Sequence, residues 1–142
     1  MIKALIFDFD GLILDTETPE LLAWQEVYRG YGQELAASTW GQIVGGTAAS
    51  DFEPVAALAA LTGQTLDPPA LYARVRERSL AQILAQGPLP GVLECLEEGK
   101  RLGLALAIAS SSTHEWVEGH LSRLELSGYF DAVLAREDVA CT

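Results

Sequence analysis

Two short apolar runs constrain what this chain can fold into. Ala4-Leu5-Ile6-Phe7 ends in Asp8 and Asp10 with Gly11 directly behind, and Leu104 to Ala109 ends in Ser110-Ser111-Ser112-Thr113. Each reads as a buried strand whose C-terminal tip opens into a polar loop, which is where open parallel α/β sheets place their ligands. In extended chain, residues i and i+2 point to the same side, so Asp8 and Asp10 can address one ligand together.

Strand grammar is missing between the two runs. After a loop through Thr18, a helix is expected from about Pro19 and Glu20, with a stripe of Leu21, Leu22, Trp24, Val27 and Tyr28 closed by Gly30 and Gly32. Further helical patterns cover Trp40 to Val44, Asp51 to Leu61 and Pro68 to Leu84, punctuated by Gly45-Gly46, Gly63 and Asp67-Pro68-Pro69. Gly87-Pro88-Leu89-Pro90-Gly91 then ends the helical block. A helix, the strand at 104–109, a helix over His114 to Leu124 and a short strand, Ala132-Val133-Leu134, follow. The order predicts an α/β core, residues 1–15 and 89–142, interrupted after its first strand by a helical domain, residues 16–88. An insertion at that point is expected to sit over the strand tips as a lid.

Composition narrows the function classes. The chain has 142 residues, of which 49% are hydrophobic and 20% charged, and its net charge is −11. No apolar run approaches the ~20 residues that a membrane helix needs, and the opening stretch breaks at Asp8, so neither a membrane span nor a secretory signal is expected. The strong negative charge argues against binding to nucleic acid, and Arg74, Arg76 and Arg78 read as a solvated helix face. Cys95 and Cys141 form no metal or disulfide pattern, which suits a cytoplasmic setting. His114 and His120 stand six apart, poor geometry for a shared metal on a helix, and read as surface or capping residues.

Chemistry follows from the two strand tips. An aspartate is ionised at neutral pH and can attack phosphorus without a base, provided a divalent cation offsets its repulsion from an anionic substrate. Hard oxygen ligands suit Mg²⁺. A second carboxylate two residues on can protonate a leaving oxygen and later activate water, if its surroundings raise its proton affinity. Asp8 and Asp10 fit these roles, while Ser110 and Ser111, at a strand tip that opens a helix, offer hydroxyls and backbone N–H groups to a phosphate. A simple N-cap for the helix at His114 is the alternative for the serine run. A calcium loop would need an oxygen ligand at Leu12 and a glycine at Ile13, and a dinucleotide turn would need two more glycines.

Asp8-Phe9-Asp10-Gly11-Leu12, with Leu14-Asp15-Thr16-Glu17, resembles the first motif of haloacid dehalogenase superfamily phosphatases, and Ala107-Ile108-Ala109-Ser110-Ser111-Ser112 resembles the second. The helical insertion, the Pro90-Gly91 re-entry and Leu126-x-x-Tyr129-Phe130-Asp131 resemble the branch that contains β-phosphoglucomutase and its phosphatase relatives. The resemblance implies a Rossmann-like, three-layer parallel-sheet core with an inserted α-helical cap. It further implies Asp8 as the nucleophile of a phospho-aspartate intermediate, Asp10 as general acid/base, both aspartates as Mg²⁺ ligands with Asp10 contributing its backbone carbonyl, and Ser110 as a phosphoryl anchor. The expected activity is hydrolysis of a small phosphorylated metabolite.

Departures from the pattern qualify that expectation. The mutase's cap histidine and arginine correspond here to Glu20 and the Ala48-Ala49 region, which favours a phosphatase over a sugar-phosphate mutase. Glu20, Trp24 and Thr47 are candidates to face the substrate from the cap, although an aromatic beside Leu21 also suits the cap's own core. The family's phosphate-binding lysine and later acidic metal motif have no counterpart before Thr142, so the chain reads as the N-terminal part of a longer enzyme. In that case strand 1 is an apolar sheet edge that would pair with its missing half or swap strands in a dimer, or the polypeptide is a fragment that binds without turnover.

Overall fold

The computed structural model describes residues 2–42 and 52–139. Three parallel strands, β1 (Ala4–Phe7), β2 (Ala105–Ala109) and β3 (Ala132–Leu134), form one sheet in the order β1-β2-β3. The register sets Ala4 beside Ala105 and Phe7 beside Ile108, then Ala107 beside Ala132 and Ala109 beside Leu134. By compactness the chain divides into two units, Met1–Asp15 with Gln86–Thr142, and Thr16–Ala85.

In the sheet unit, α5 (Val92–Arg101) connects β1's side of the chain to β2, and α6 (His114–Arg123) connects β2 to β3. Both crossovers step in the same direction along the sheet, and right-handed connections then put both helices on one face. The burial pattern agrees. Leu106 and Ile108 of β2 are fully buried, whereas Ile6 of β1 is 72% exposed and Leu134 of β3 is 46% exposed. Val92, Leu96 and Gly99 form the buried stripe of α5. Gly99 permits the close approach, because a Cβ there would stand 2.9 Å from the Leu106 side chain. Asp131 pins the entry to β2: its carboxylate accepts from the Leu106 N–H at 2.8 Å, and its own N–H donates to the Leu106 carbonyl at 2.7 Å. That backbone bond, with the Lys100 ammonium, holds the Asp131 carboxyl below its usual pKa.

The second unit is all-helical, with α1 (Glu17–Gly30), α2 (Ala37–Trp40), α3 (Pro54–Thr62) and α4 (Pro68–Leu84). Helix α1 starts two residues ahead of the sequence expectation, because Pro19 lies in its first turn, where a proline's missing N–H costs no helical bond. Helix α2 occupies Ala37–Trp40 rather than beginning at Trp40, and residues 43 and 44 lie outside the described residues. The core of this unit collects Trp24, Val27, Tyr28, Trp40, Val55 and Leu58. Within it the Tyr28 hydroxyl donates to the Pro54 carbonyl at 2.7 Å. Arg74 and Arg78 of the basic cluster reach Glu26 on α1 at 3.7 and 3.1 Å, as a solvated helix face would. Among the described residues no helix is long and apolar enough to cross a membrane.

Leu106 tests the sheet's packing. Leu106→Ala removes a side chain of zero exposure wedged against Gly99, and should lower unfolding free energy by about 2–5 kcal/mol in urea titrations.

Candidate active site

The site is built at the tips of β1 and β2. Parallel pairing with Phe7 beside Ile108 brings the residues after each strand to the same end of the sheet, so Asp8 leaves β1 close to where Ser110 leaves β2. The chain then turns sharply. The Phe9 carbonyl accepts from the N–H groups of Leu12, Ile13 and Leu14 at 3.3, 2.9 and 3.3 Å, and Gly11 donates to the Leu14 carbonyl at 2.8 Å. Gly11 takes φ +73°, a left-handed conformation that a side chain disfavours. Phe9, Ile13 and Leu14 are fully buried and anchor this turn. Asp8 and Asp10 therefore ride on a fixed backbone.

Asp8 is exposed, and its Oδ1 accepts from the Phe9 N–H at 2.7 Å. Asp10 is half-buried and held on both oxygens. Oδ2 accepts from the Ser112 hydroxyl at 2.6 Å, and Oδ1 accepts from the Trp116 indole N–H at 2.9 Å. The two partners differ chemically, since a hydroxyl can donate or accept and an indole N–H can only donate. Ser110 is half-buried and Ser111 exposed. Ser110 Oγ accepts from the Ser112 N–H at 3.1 Å, and the Ser110 N–H donates to the Leu134 carbonyl at 3.0 Å, which ties the serine loop to β3. Thr113 caps α6 by accepting from the Trp116 N–H at 3.2 Å, so the helix starts where the serine run ends. Glu137 also accepts from the His114 N–H, at 3.3 and 3.2 Å from its two oxygens.

Ser112 and Trp116 also belong to the site. Ser112 lies in the serine run, one residue past Ser110 and Ser111, the expected phosphate-facing pair. Trp116 lies two residues into α6 and offered no signal beyond a donor-bearing aromatic near a strand tip. His120 requires a correction: it is only 5% exposed, not a surface or capping residue. With Val117 and Leu121 it completes the buried stripe of α6, an i, i+3, i+4 pattern that could have shown its burial. Its ring lies 6.2 Å from Phe9, stacked, and 4.4 Å from Trp116, edge to face.

The cap candidates are dispersed. Glu20 lies on α1, where partial desolvation and then the charge of Glu17 push its carboxyl pKa up, opposed by a hydrogen bond from Trp24. Trp24 is 1% exposed and packs edge to face on Tyr72 at 5.2 Å, so it belongs to the helical unit's core. The Tyr72 hydroxyl donates to Glu53, and desolvation together with that carboxylate raises its pKa to about 12. Thr47 lies outside the described residues.

No group of three or more His, Cys, Asp or Glu side chains arranged for a metal occurs among the described residues. A Mg²⁺ site does not require one, because this ion is commonly held by one or two carboxylates with waters and substrate phosphate. The exposed Asp8 carboxylate on its rigid turn, with the Asp10 backbone two residues on, suits that mode.

A carboxylate-bearing turn at one strand tip thus lies beside a hydroxyl-rich tip, on a parallel sheet whose first two strands are separated in sequence by the helical unit. The chain belongs to the haloacid dehalogenase-like hydrolase family, which it matches over residues 5–142. It is 42% identical over 139 residues to YhcW of Bacillus subtilis, a phosphatase by name, covering 98% of this chain and 62% of the relative. Identity to the fructose-1-phosphate phosphatase YqaB of Escherichia coli is 33% over 139 residues, covering 95% of this chain and 70% of the relative. A solved structure from Thermotoga maritima, named for β-phosphoglucomutase, superposes with a TM-score of 0.74 at 27% identity, covering 99% of this chain and 64% of that one. The chain thus spans less than two thirds of the length of YhcW and of the Thermotoga protein.

His120 gives the site unit a pH signature. Burial first, then the Arg123 guanidinium, lower its pKa, while Asp10 pulls it up more weakly. The unfolded chain, with an ordinary histidine near 6.5, then binds more protons than the folded one, and stability rises with pH across that window. The stabilisation is fully present above pH ~6.5 and is lost as pH falls through the lowered folded value. His120→Gln should flatten that part of the stability profile, measured as the difference from wild type in urea titrations between pH 5 and 8.

Proposed function

We propose that the enzyme to which this chain belongs hydrolyses the phosphate ester of a small metabolite, a sugar phosphate before other classes, through a phospho-Asp8 intermediate. The observation that carries this reading is the Asp10 carboxylate, two residues from the exposed Asp8, bound by Ser112 at 2.6 Å from the neighbouring strand tip. The fructose-1-phosphate phosphatase name of the Escherichia coli relative supports the substrate class.

In this reading an Asp8 oxygen attacks phosphorus and the ester oxygen leaves. Asp10 gives that oxygen a proton from Oδ2, where the Ser112 hydroxyl can switch between donating and accepting; Oδ1 faces a group that can only donate. Asp10 then takes a proton from the water that attacks the acyl phosphate, releasing inorganic phosphate and restoring Asp8. Ser110 and Ser111 present hydroxyls to the phosphoryl oxygens. Mg²⁺ held by Asp8 and the Asp10 carbonyl would supply charge neutralisation between carboxylate and phosphate. The helical unit, with Glu20 and Thr47, is the proposed source of substrate selection.

Asp8→Asn should reduce phosphate release from a panel of sugar phosphates to background, and Asp10→Asn should lower it roughly 10²–10⁴-fold, both with unchanged folding by circular dichroism. Turnover retained by Asp8→Asn would sink the mechanism. Conversion of a sugar 1-phosphate to the 6-phosphate without free phosphate would establish the mutase instead.

We also propose that a polypeptide of these 142 residues alone pairs with a second copy along β1. Among the described residues β1 has a strand on one side only, and Ile6 is 72% exposed on the helix-free face. Open edges template strand pairing, and parallel sheets are stable with both faces covered. Light scattering should show concentration-dependent dimers that Ile6→Lys weakens. A soluble monomer at high concentration would refute this pairing.

A further inference from the structure

We infer that Trp116 is a positioning residue for Asp10, and that a chain of ring contacts joining Phe9, His120 and Trp116 fixes the acid's carboxylate and its backbone together. The inference rests on the reading of Asp10 as the general acid/base. The indole N–H reaches Asp10 Oδ1 at 2.9 Å across 106 residues of sequence. One directional donor on a rigid ring leaves the carboxylate little freedom to rotate, because the Ser112 hydroxyl holds the other oxygen at 2.6 Å. The two bonds set the plane of the carboxylate. Proton transfer to a leaving oxygen depends on that plane.

The indole is itself held. Its edge-to-face contact with His120 has a ring separation of 4.4 Å and an interplanar angle of 77°. His120 stacks on Phe9 at 6.2 Å and 26°, and Phe9 is fully buried one residue before Asp10. Arg123 closes the outer side, with its guanidinium nitrogens 3.4 Å from His120 Nδ1 and a bond of 2.8 Å to the Gln86 carbonyl. A closed circuit results, from Phe9 through His120 and Trp116 back to Asp10. Helix α6 therefore sets both the backbone before Asp10 and the direction of its carboxylate. A tryptophan retained only for packing would need its ring but not its N–H.

Trp116→Phe separates the two roles, since it keeps a ring against His120 and removes the donor. The expected result is a fall in kcat of roughly 10- to 100-fold with KM changed less than about twofold, at unchanged thermal stability. A folded Trp116→Phe enzyme with wild-type kcat overturns the inference. The bond is also read without turnover, by the indole N–H resonances of the chain's three tryptophans. One indole signal should shift strongly in Asp10→Ala and less in Asp10→Asn, whose carbonyl still accepts. If no indole signal responds to Asp10→Ala, the inference fails even where Trp116→Phe does not fold. Absence of phosphatase activity in the wild-type enzyme overturns the functional reading instead, and the indole measurement still decides the bond.

Discussion

Parallel pairing of β1 with β2 is the constraint on which the rest of the sheet unit depends. Four residue pairs, from Ala4 with Ala105 to Phe7 with Ile108, close a loop that contains the whole helical unit. Loop closure costs entropy that grows only slowly with length, so an insertion of this size is tolerated once the strands have enough apolar surface to bury. Leu106 and Ile108, both fully buried, supply it, and Gly99 of α5 allows the helix to approach Leu106. Asp131 adds a polar clamp at the start of β2.

The site inherits its geometry from that pairing. Because the strands are parallel and in register, their C-terminal ends coincide, and two chemically different loops meet. The first is made rigid by the Phe9 carbonyl's three hydrogen bonds and by Gly11. The second is fixed by the bond from Ser110 to Leu134 and by the Thr113 cap of α6. Helix α6 reaches back across the tips with an indole whose orientation follows from the packing of Val117, His120 and Leu121 beneath it.

Much of this was legible in the residues. The strands at Ala4–Phe7 and Ala105–Ala109, the helix at Pro68–Leu84 and the start of α6 at His114 follow from periodicity and punctuation that tertiary contacts did not override. Helix ends were less legible, as at α1, where a proline permitted two further residues before it. The spacing of His120 from His114 carries no sign of its burial, which lies instead in the stripe it shares with Val117 and Leu121. The nearness of Trp116 to Asp10 is invisible along the chain.

The sequence by itself determined the layout of polar groups: carboxylates at one apolar strand's end, hydroxyls at the next, and an all-helical insertion between them. These are local properties, carried by residue type and period. Tertiary structure alone decided which side chains hold Asp10, because Ser112 and Trp116 reach it through the register of β1 on β2 and the rotation of α6. Both are set by packing between residues about a hundred positions apart, and no local pattern encodes such a contact.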